Sequence, residues 1–276
     1  KLNKCLIMSF GKISVCVLLL VALFGSMYYF FGTATPPEPV GTRVIAHRGY
    51  WDIEGSAQNS LAALRAAQAI GVYGSEFDVN MTADDRLIVV HGPRHAEIED
   101  VRKATLDEVR AYPLSNGEQV PTLEEYLELG KQNKDVKLIL EIKSHETPER
   151  ETFVVKEVLS AVKAAGVEDQ TEYIAFSLHI CKELARRAPR AEVAYLNGDI
   201  TPEDLHDLHI DGIDYHFNKL AENPRWIEQA HFFAMSVNVW TVNKEENIRK
   251  VIADGVDFIT TDKPEMAQAI LREEKK

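Results

Sequence analysis

Short apolar runs alternate with longer amphipathic segments from Arg43 to the end of the chain. The short runs are rich in β-branched residues, as strands are, and the longer segments have helical periodicity. The strand candidates are RVIAHRG, GSEFDVNM, RLIVVHG, KLILEIK, EYIAFS, EVAYLN, GIDYHF, AMSVNVWTV and DFITTD. The clearest helical segments are NSLAALRAAQAIG, TLEEYLELGKQ, RETFVVKEVLSAVKAAG and EENIRKVIADG. Because strands that alternate with helices pair in parallel, this order predicts an α/β fold.

The number of strand and helix units favours a closed (β/α)₈ TIM-type barrel over residues 43–276. About eight units in roughly 250 residues are typical of that barrel. The alternative is a doubly wound open sheet, for which we would expect a glycine-rich phosphate loop after the first strand. The segment HRGYWDIEGS matches neither a dinucleotide fingerprint nor a P-loop, so we prefer the barrel.

The N-terminal part of the chain follows another pattern. Lysines precede an uncharged run from Ile13 to Phe31, close to the roughly 20 residues that cross a bilayer as a helix. We therefore expect an N-terminal hydrophobic helix within residues 1–35, acting as a signal anchor or a signal peptide, and a linker over 36–42. The length of the run favours an anchor, whereas Gly32 and Ala34 form a passable cleavage site. A buried soluble helix is the third interpretation.

Composition and charge narrow the choice of location and partners. The two membrane interpretations place the barrel outside the cytoplasm, anchored or secreted, because the lysines stay inside. The chain is 45% hydrophobic and 27% charged, an ordinary globular composition. Its net charge of -12 argues against a nucleic-acid surface, which needs a basic stripe. No protein partner is indicated, and a membrane partner is expected only through an uncleaved N-terminal segment.

Two carboxylates lie two positions apart in the strand candidate GSEFDVNM. Side chains alternate across a strand, so Glu76 and Asp78 share one face and Phe77 faces the helices. Buried like charges repel, and their desolvation adds to the cost unless a positive charge lies between them. A divalent cation is one such partner. The alternatives are solvation at the barrel rim or neutralisation by an arginine.

A second strand adds a carboxylate and a cation. Glu141 and Lys143 are also two residues apart, within the apolar run KLILEIK. A structural salt bridge between them would leave Glu76 and Asp78 without a partner. A cation held by the three carboxylates, with Lys143 facing an anionic substrate, would satisfy all four. Three oxygen ligands with open positions suit Mg²⁺ or Ca²⁺, whereas zinc more often recruits His or Cys.

Two histidines end apolar strand candidates. His47 follows VIA, and His91 follows LIVV. A lone histidine is more often a packed or solvated residue, but imidazoles beside a cation can serve as acid and base because they titrate near neutral pH. Arg48 adds a planar fork that suits phosphate oxygens.

Taken in order, these motifs resemble those of the glycerophosphodiester phosphodiesterase family, which is related to phosphatidylinositol-specific phospholipase C. The matching motifs, between about Arg43 and about Pro264, are AHRG, SEFDV, LIVVH, VPTLEEYL, LILEIK and NVWTVN. The resemblance implies a (β/α)₈ barrel enzyme, a phosphoric diester hydrolase. It cleaves glycerophosphodiesters, with a divalent cation, to glycerol 3-phosphate and an alcohol.

The resemblance also assigns roles to residues of this chain. The catalytic histidines are His47 and His91, the metal ligands Glu76, Asp78 and Glu141, and the substrate-binding residues Arg48, Lys143 and Trp240. Trp240 would line the glycerol pocket, whereas its position alone predicts a core aromatic.

The sequence departs from the family pattern at two places. The usual Pro-Glu-Asn is here AQN, with Gln58 in place of the carboxylate. The histidine of the usual His-Asp pair is here followed by Gly92.

Three other functions remain open at this point. A phospholipase C- or D-type enzyme on intact lipids would use similar groups. A non-catalytic barrel that binds phosphodiesters is compatible with the two departures. A purely structural barrel fails to explain three inward carboxylates.

Overall fold

The computed structural model describes residues 41–274, and the predicted N-terminal helix and most of the linker lie outside this range. Within it no helix has the length and apolar character required to cross a membrane. The strands are β1 (Arg43–Ala46), β2 (Gly74–Met81), β3 (Leu87–Val89), β4 (Lys137–Ile142), β5 (Thr171–Ala175), β6 (Val193–Tyr195), β7 (Gly212–His216), β8 (Ser236–Trp240) and β9 (Phe258–Thr261).

The helices mostly cross from one strand to the next. They are α1 (Leu61–Ile70), α2 (Leu106–Arg110), α3 (Leu123–Gly130), α4 (Pro148–Ala165), α5 (Leu178–Arg187), α6 (Pro202–Asp207), α7 (Phe217–Glu222), α8 (Trp226–Phe232), α9 (Glu245–Ala253) and α10 (Pro264–Glu274). Short 3₁₀ helices span Val101–Lys103 and Glu168–Gln170. The four helical segments expected from the sequence correspond to α1, α3, α4 and α9.

Eight parallel strands close into a barrel in the order β1, β2, β4, β5, β6, β7, β8 and β9, and β9 pairs back with β1. The predicted (β/α)₈ architecture is therefore confirmed. The alternation on β2 is also as expected, because Phe77 packs outward in a stack with Tyr126, with ring centroids 4.3 Å apart.

The strand candidate RLIVVHG does not join the barrel as a parallel strand. Its apolar core forms β3, which runs antiparallel to β2 and pairs Val79 with Val89. A tight turn with hydrogen bonds between Thr82 and Arg86 reverses the chain there, since no helix intervenes. Parallel strands need a long crossover, which this segment lacks.

Buried side chains fill the barrel interior below the site, down to the opposite end of the barrel. Ile45, Ile139, Ile174, Leu196 and Phe258 belong to one buried cluster inside the strands. At the opposite end the guanidinium of Arg43 lies 4.1 Å from the Tyr73 ring centroid and 4.3 Å from that of Phe258. The interior is thus packed, and open space remains at the carboxyl ends of the strands.

Candidate active site

Three carboxylates meet at the mouth of the barrel. Glu76 and Asp78 come from β2 and Glu141 from β4, where Asp78 and Glu141 are register partners. One oxygen of each lies within 4.8 Å of the others, and the residues are only 3%, 1% and 7% exposed. The strand periodicity and this register together produce the cluster that the sequence predicted.

Two cations of the chain lie against this cluster. Lys143 Nζ donates a hydrogen bond to Asp78 Oδ1 at 3.2 Å and lies 2.6 Å from Glu141 Oε1. Arg48 donates its backbone N–H to Glu76 Oε2 at 2.7 Å, and its Nε lies 3.4 Å from Asp78 Oδ2. Lys143 therefore bridges two carboxylates, which the sequence interpretation had treated as the alternative to a role toward substrate.

The ionisation of the carboxylates shows that these two cations do not balance the cluster. Burial acts to raise the pKa of Asp78, but Lys143 and Arg48 outweigh it and lower the value to about 2. Burial, followed by the charge of Asp78, raises the pKa of Glu141 to about 8. Burial, together with the charges of Asp78 and Glu141, raises the pKa of Glu76 well above its usual range. Three buried carboxylates thus share the positive charge of two side chains, Lys143 and Arg48.

The cluster fits a divalent cation. Glu141 Oε1 is buried and shares the ammonium of Lys143 with Asp78, so the three carboxylates have fewer cations of the chain beside them than negative charges. Three carboxylate oxygens are hard ligands of the kind that Mg²⁺ and Ca²⁺ prefer. Glu76, Asp78 and Glu141 would hold the ion, and two strands of the barrel already place their oxygens together.

Asn59 holds Asp78 from the loop after β1. Its Nδ2 donates to Asp78 Oδ2 at 2.8 Å, and its Oδ1 accepts the backbone N–H of Asp78 at 3.0 Å. The neighbouring Gln58 accepts a hydrogen bond from Arg48 Nη1 at 2.7 Å. The departure at position 58 thus places a neutral amide, rather than a carboxylate, on the guanidinium.

His47 is held by a second set of side chains. Its Nδ1 donates to Asp262 Oδ1 at 2.7 Å, and Trp51 Nε1 donates to the same oxygen at 3.0 Å. The other oxygen of Asp262 accepts a hydrogen bond from Asn243 at 2.6 Å. Burial acts to raise the pKa of Asp262, but the hydrogen bond and charge of His47, together with the hydrogen bonds from Asn243 and Trp51, lower it below its usual value. When neutral His47 carries its proton on Nδ1, its Nε2 is free to accept a proton.

His91 reaches the site because β3 runs back toward the barrel. Val90 donates its N–H to Asp78 O at 2.9 Å, so the next residue lies beside the carboxylates. Burial lowers the pKa of His91 to about 4, against the negative charge of Asp78.

The residue after His91 is a glycine for a steric reason. Gly92 has a φ of +53°, and a Cβ there would lie 2.9 Å from Asn80 Nδ2. The same amide nitrogen donates to Val90 O at 2.8 Å. The aspartate of the usual His-Asp pair would disturb this contact.

Trp240 ends β8 at the same mouth. Its Nε1 donates to Asp214 O at 2.8 Å, and its ring meets that of Phe176 edge-on, with centroids 5.6 Å apart. All the histidine, cation and tryptophan positions assigned from the sequence thus converge, and Trp240 is both a packed aromatic and a cavity wall.

Two cavities adjoin these side chains. The smaller, about 120 Å³, is lined by His47, Glu76, Glu141, Lys143 and Trp240, among others. The larger is an open groove of about 790 Å³ formed mainly by the loops after β1 and β3. Arg48 and His91 line both, so these two residues stand at the junction of the cavities.

Residues 47–266 match the model of the glycerophosphoryl diester phosphodiesterase family. The chain belongs to this family. The resemblance seen in the motifs is confirmed, and so is the assignment to an enzyme class, the phosphodiesterases.

Individual relatives agree with the family assignment. A glycerophosphodiester phosphodiesterase from Caldanaerobacter subterraneus is 28% identical over 250 residues, covering 84% of this chain and 98% of the relative. The crystal structure of a glycerophosphodiester phosphodiesterase from Parabacteroides distasonis is 45% identical with a TM-score of 0.84, covering 86% of this chain and 99% of that one. A phosphodiesterase from Oleispira antarctica, solved with sn-glycerol-3-phosphate, is 22% identical with a TM-score of 0.72, covering 83% and 96%, and shares the fold.

Some residues of this family member's site were missed in the sequence. Asp262 follows the last barrel strand, so the rule that reactive groups lie at the carboxyl ends of strands could have identified it. Asn59 belongs to the same AQN segment as Gln58. Trp51 and Asn243 lie in loops, and nothing in the local pattern links them to Asp262.

Proposed function

We propose that this chain hydrolyses glycerophosphodiesters to glycerol 3-phosphate and an alcohol, in a reaction that depends on a divalent cation. One observation carries the proposal: three buried carboxylates converge within 4.8 Å, and two imidazoles and two cations line the cavity beside them. When bound, Mg²⁺ or Ca²⁺ would supply positive charge to the phosphate oxygens.

Two cationic side chains of the site would bind the phosphate. Arg48 would bind phosphate oxygens with its planar guanidinium, whose buried Nε makes no hydrogen bond. Lys143, which follows β4, would add a second positive charge. Charge that builds on the phosphate during bond breaking is thereby stabilised.

The two histidines would move the protons. His47 Nε2 would take a proton from the nucleophile, either water or a glycerol hydroxyl, while Asp262 keeps its ring in place. The bond from phosphorus to the leaving oxygen breaks, and His91 would give that oxygen a proton. The negative phosphate beside His91 would favour its protonated form. Attack by water yields glycerol 3-phosphate directly, and attack by a hydroxyl yields a cyclic phosphate that water then opens.

The test is a panel of glycerophosphodiesters, with and without EDTA, in which released glycerol 3-phosphate is measured. We expect EDTA to abolish activity and Mg²⁺ or Ca²⁺ to restore it. Full turnover after thorough chelation would refute the role of the cation. Intact phosphatidylcholine in the same panel tests the lipid-cleaving alternative. A His47→Ala protein that turns over like wild type would refute the role of His47.

We also propose that the chain works outside the cytoplasm, anchored or secreted through its N-terminal segment. The support is the uncharged run from Ile13 to Phe31 behind lysines. Cell fractionation followed by N-terminal sequencing of the mature protein tests this. Full-length protein in the cytoplasmic fraction would refute it.

A further inference from the structure

Asp214 is a buried acid inside the barrel that the proposed mechanism does not use. It lies in the middle of β7, is 1% exposed and lines the smaller cavity together with the catalytic groups. Its chain neighbours Ile213 and Tyr215 pack outward in the main core, so its own side chain faces the interior. The carboxylate thus lies at the wall of the cavity.

The fold satisfies this carboxylate only in part. Asp214 Oδ1 accepts no hydrogen bond, and among residues 41–274 no Lys, Arg or His lies within ion-pair distance of either oxygen. Its register partner Asn238 donates to Thr260 Oγ1 at 2.8 Å and accepts the N–H of Val239 at 2.8 Å. Burial raises the pKa of Asp214 to about 7, although a hydrogen bond from the Asn238 side chain acts in the opposite direction.

A buried carboxylate oxygen that accepts no hydrogen bond is costly, so a partner from outside the protein is expected at Oδ1. The cavity it faces has a volume of about 120 Å³, well above the roughly 10–15 Å³ that one water molecule needs on this measure. Ile174, Phe176, Leu196 and Trp240 supply apolar walls. A small molecule that has both C–H groups and hydroxyl groups would suit this cavity. Its C–H groups would contact the apolar walls, and a hydroxyl group would contact the acid.

The positions and sizes of the two cavities indicate which part of the substrate binds in the smaller one. Arg48 and His91 line both of them, so a phosphate held by Arg48 has one ester arm on each side. The smaller cavity has room for a three-carbon polyol. The open groove of about 790 Å³ has room for alcohols of different sizes. The glycerol arm therefore belongs in the smaller cavity.

We propose that Asp214 recognises the glycerol moiety by a hydrogen bond to one of its hydroxyl groups and thereby determines specificity for glycerol phosphates. This inference rests on the proposed function. The ionised acid accepts a hydrogen bond from a hydroxyl and the protonated acid donates one, so the contact forms in either state. Asp214 is a specificity residue, and the bond-breaking groups lie elsewhere in the cavity.

The experiment measures binding without turnover. Glycerol 3-phosphate and n-propyl phosphate, which has the same chain length but lacks both hydroxyls, are titrated calorimetrically into the Mg²⁺-containing protein. Wild type should bind glycerol 3-phosphate roughly tenfold more tightly or better, because the analogue leaves the acid unpaired. Asp214→Ala should lose this preference while its affinity for propyl phosphate stays within about twofold of wild type. Asp214→Asn, which keeps polar atoms at this position, should be intermediate.

The control is Asp211→Asn. Asp211 is exposed just before β7, at the other end of the strand, and accepts the N–H of Val193. This variant should keep the wild-type preference. Thermal unfolding supplies a second readout, since Asp214→Ala should melt no lower than wild type if the removed carboxylate had no partner in the fold.

Three results would overturn the inference: wild type that does not distinguish the two phosphates, an Asp214→Ala protein that keeps the preference, or equal loss of both ligands with a lower Tm, which indicates a structural role. Failure of the proposed function looks different. In that case wild type does not cleave glycerophosphocholine, whatever the ratio of the two binding constants.

Discussion

His47 Nδ1 donates a hydrogen bond to Asp262 Oδ1 over 2.7 Å, although the two residues are 215 positions apart in the chain. They meet because β1 and β9 are neighbours where the barrel closes. Two further donors, Trp51 and Asn243, hold the carboxylate in place. Asp262 is therefore a positioning residue for the imidazole.

Replacing Asp262 by asparagine should lower kcat on the order of 10²-fold, because an amide can stabilise the wrong tautomer of His47. KM should change little, since Asp262 lies outside both cavities. Steady-state kinetics on glycerophosphocholine measure both. Asp257→Asn is the matched control, since Asp257 accepts a hydrogen bond from His231 at 2.9 Å just before β9. An equal loss of kcat in both variants would contradict the positioning role.

Removing one carboxylate of the cluster should stabilise the metal-free protein and abolish its response to metal. Glu141→Gln relieves repulsion between buried acids, which should raise Tm by roughly 2–4 °C for each kcal/mol gained. Wild type should gain Tm when Mg²⁺ or Ca²⁺ is added, because an ion that binds only the folded state stabilises it. The Glu141→Gln variant should show no such gain in Tm.

Thermal unfolding in EDTA and in excess cation measures both effects. The control is Glu172→Gln, since Glu172 is bound by Tyr73 at the other end of the barrel and should leave the response to cation intact. A Glu141→Gln protein that still gains Tm with the cation would refute the assignment of the metal ligands.

Replacing Arg48 by lysine should weaken phosphate binding. A lysine keeps the charge but loses the planar fork and the hydrogen bond to Gln58. We expect KM to rise about tenfold, equivalent to about 1.4 kcal/mol. Initial rates over a range of glycerophosphocholine concentrations measure this. Arg187→Lys, on the outer surface of α5 beside Glu183, should leave KM unchanged. An unchanged KM in Arg48→Lys would exclude the phosphate contact.

The stability of the protein should depend on pH through Asp214. Its pKa is raised from 3.8 to about 7 in the folded state, so between these values the folded protein binds more protons than the unfolded chain. This contribution to the free energy of unfolding is therefore present below about pH 4 and is lost as the pH rises toward 7. Asp214→Asn does not titrate, so it should become more stable relative to wild type over this interval.

Urea denaturation of metal-free protein at pH 4.5 and at pH 7.5 measures the difference between Asp214→Asn and wild type. The pKa of Asp211 is also raised, but by less than that of Asp214, so Asp211→Asn should show a smaller difference between the two pH values. A difference that stays constant or shrinks as the pH rises would show that Asp214 does not retain its proton in the folded protein.

The order of strands and helices, and the face on which each strand side chain lies, were determined by the sequence alone. Glu76 and Asp78 share a face because strand side chains alternate, and the same holds for Glu141 and Lys143. These are local properties. The backbone geometry of one strand sets them, whatever the strand pairs with.

Contacts between distant segments were decided only by the tertiary structure. His91 reaches the site because β3 pairs antiparallel with β2, and Asp262 reaches His47 because the last strand closes on the first. Lys143 contacts Asp78 as well as Glu141, and Asp214 Oδ1 is left without a hydrogen bond, because of strand register and packing. Periodicity specifies the direction of a side chain, whereas its partner depends on which strand comes to lie beside it.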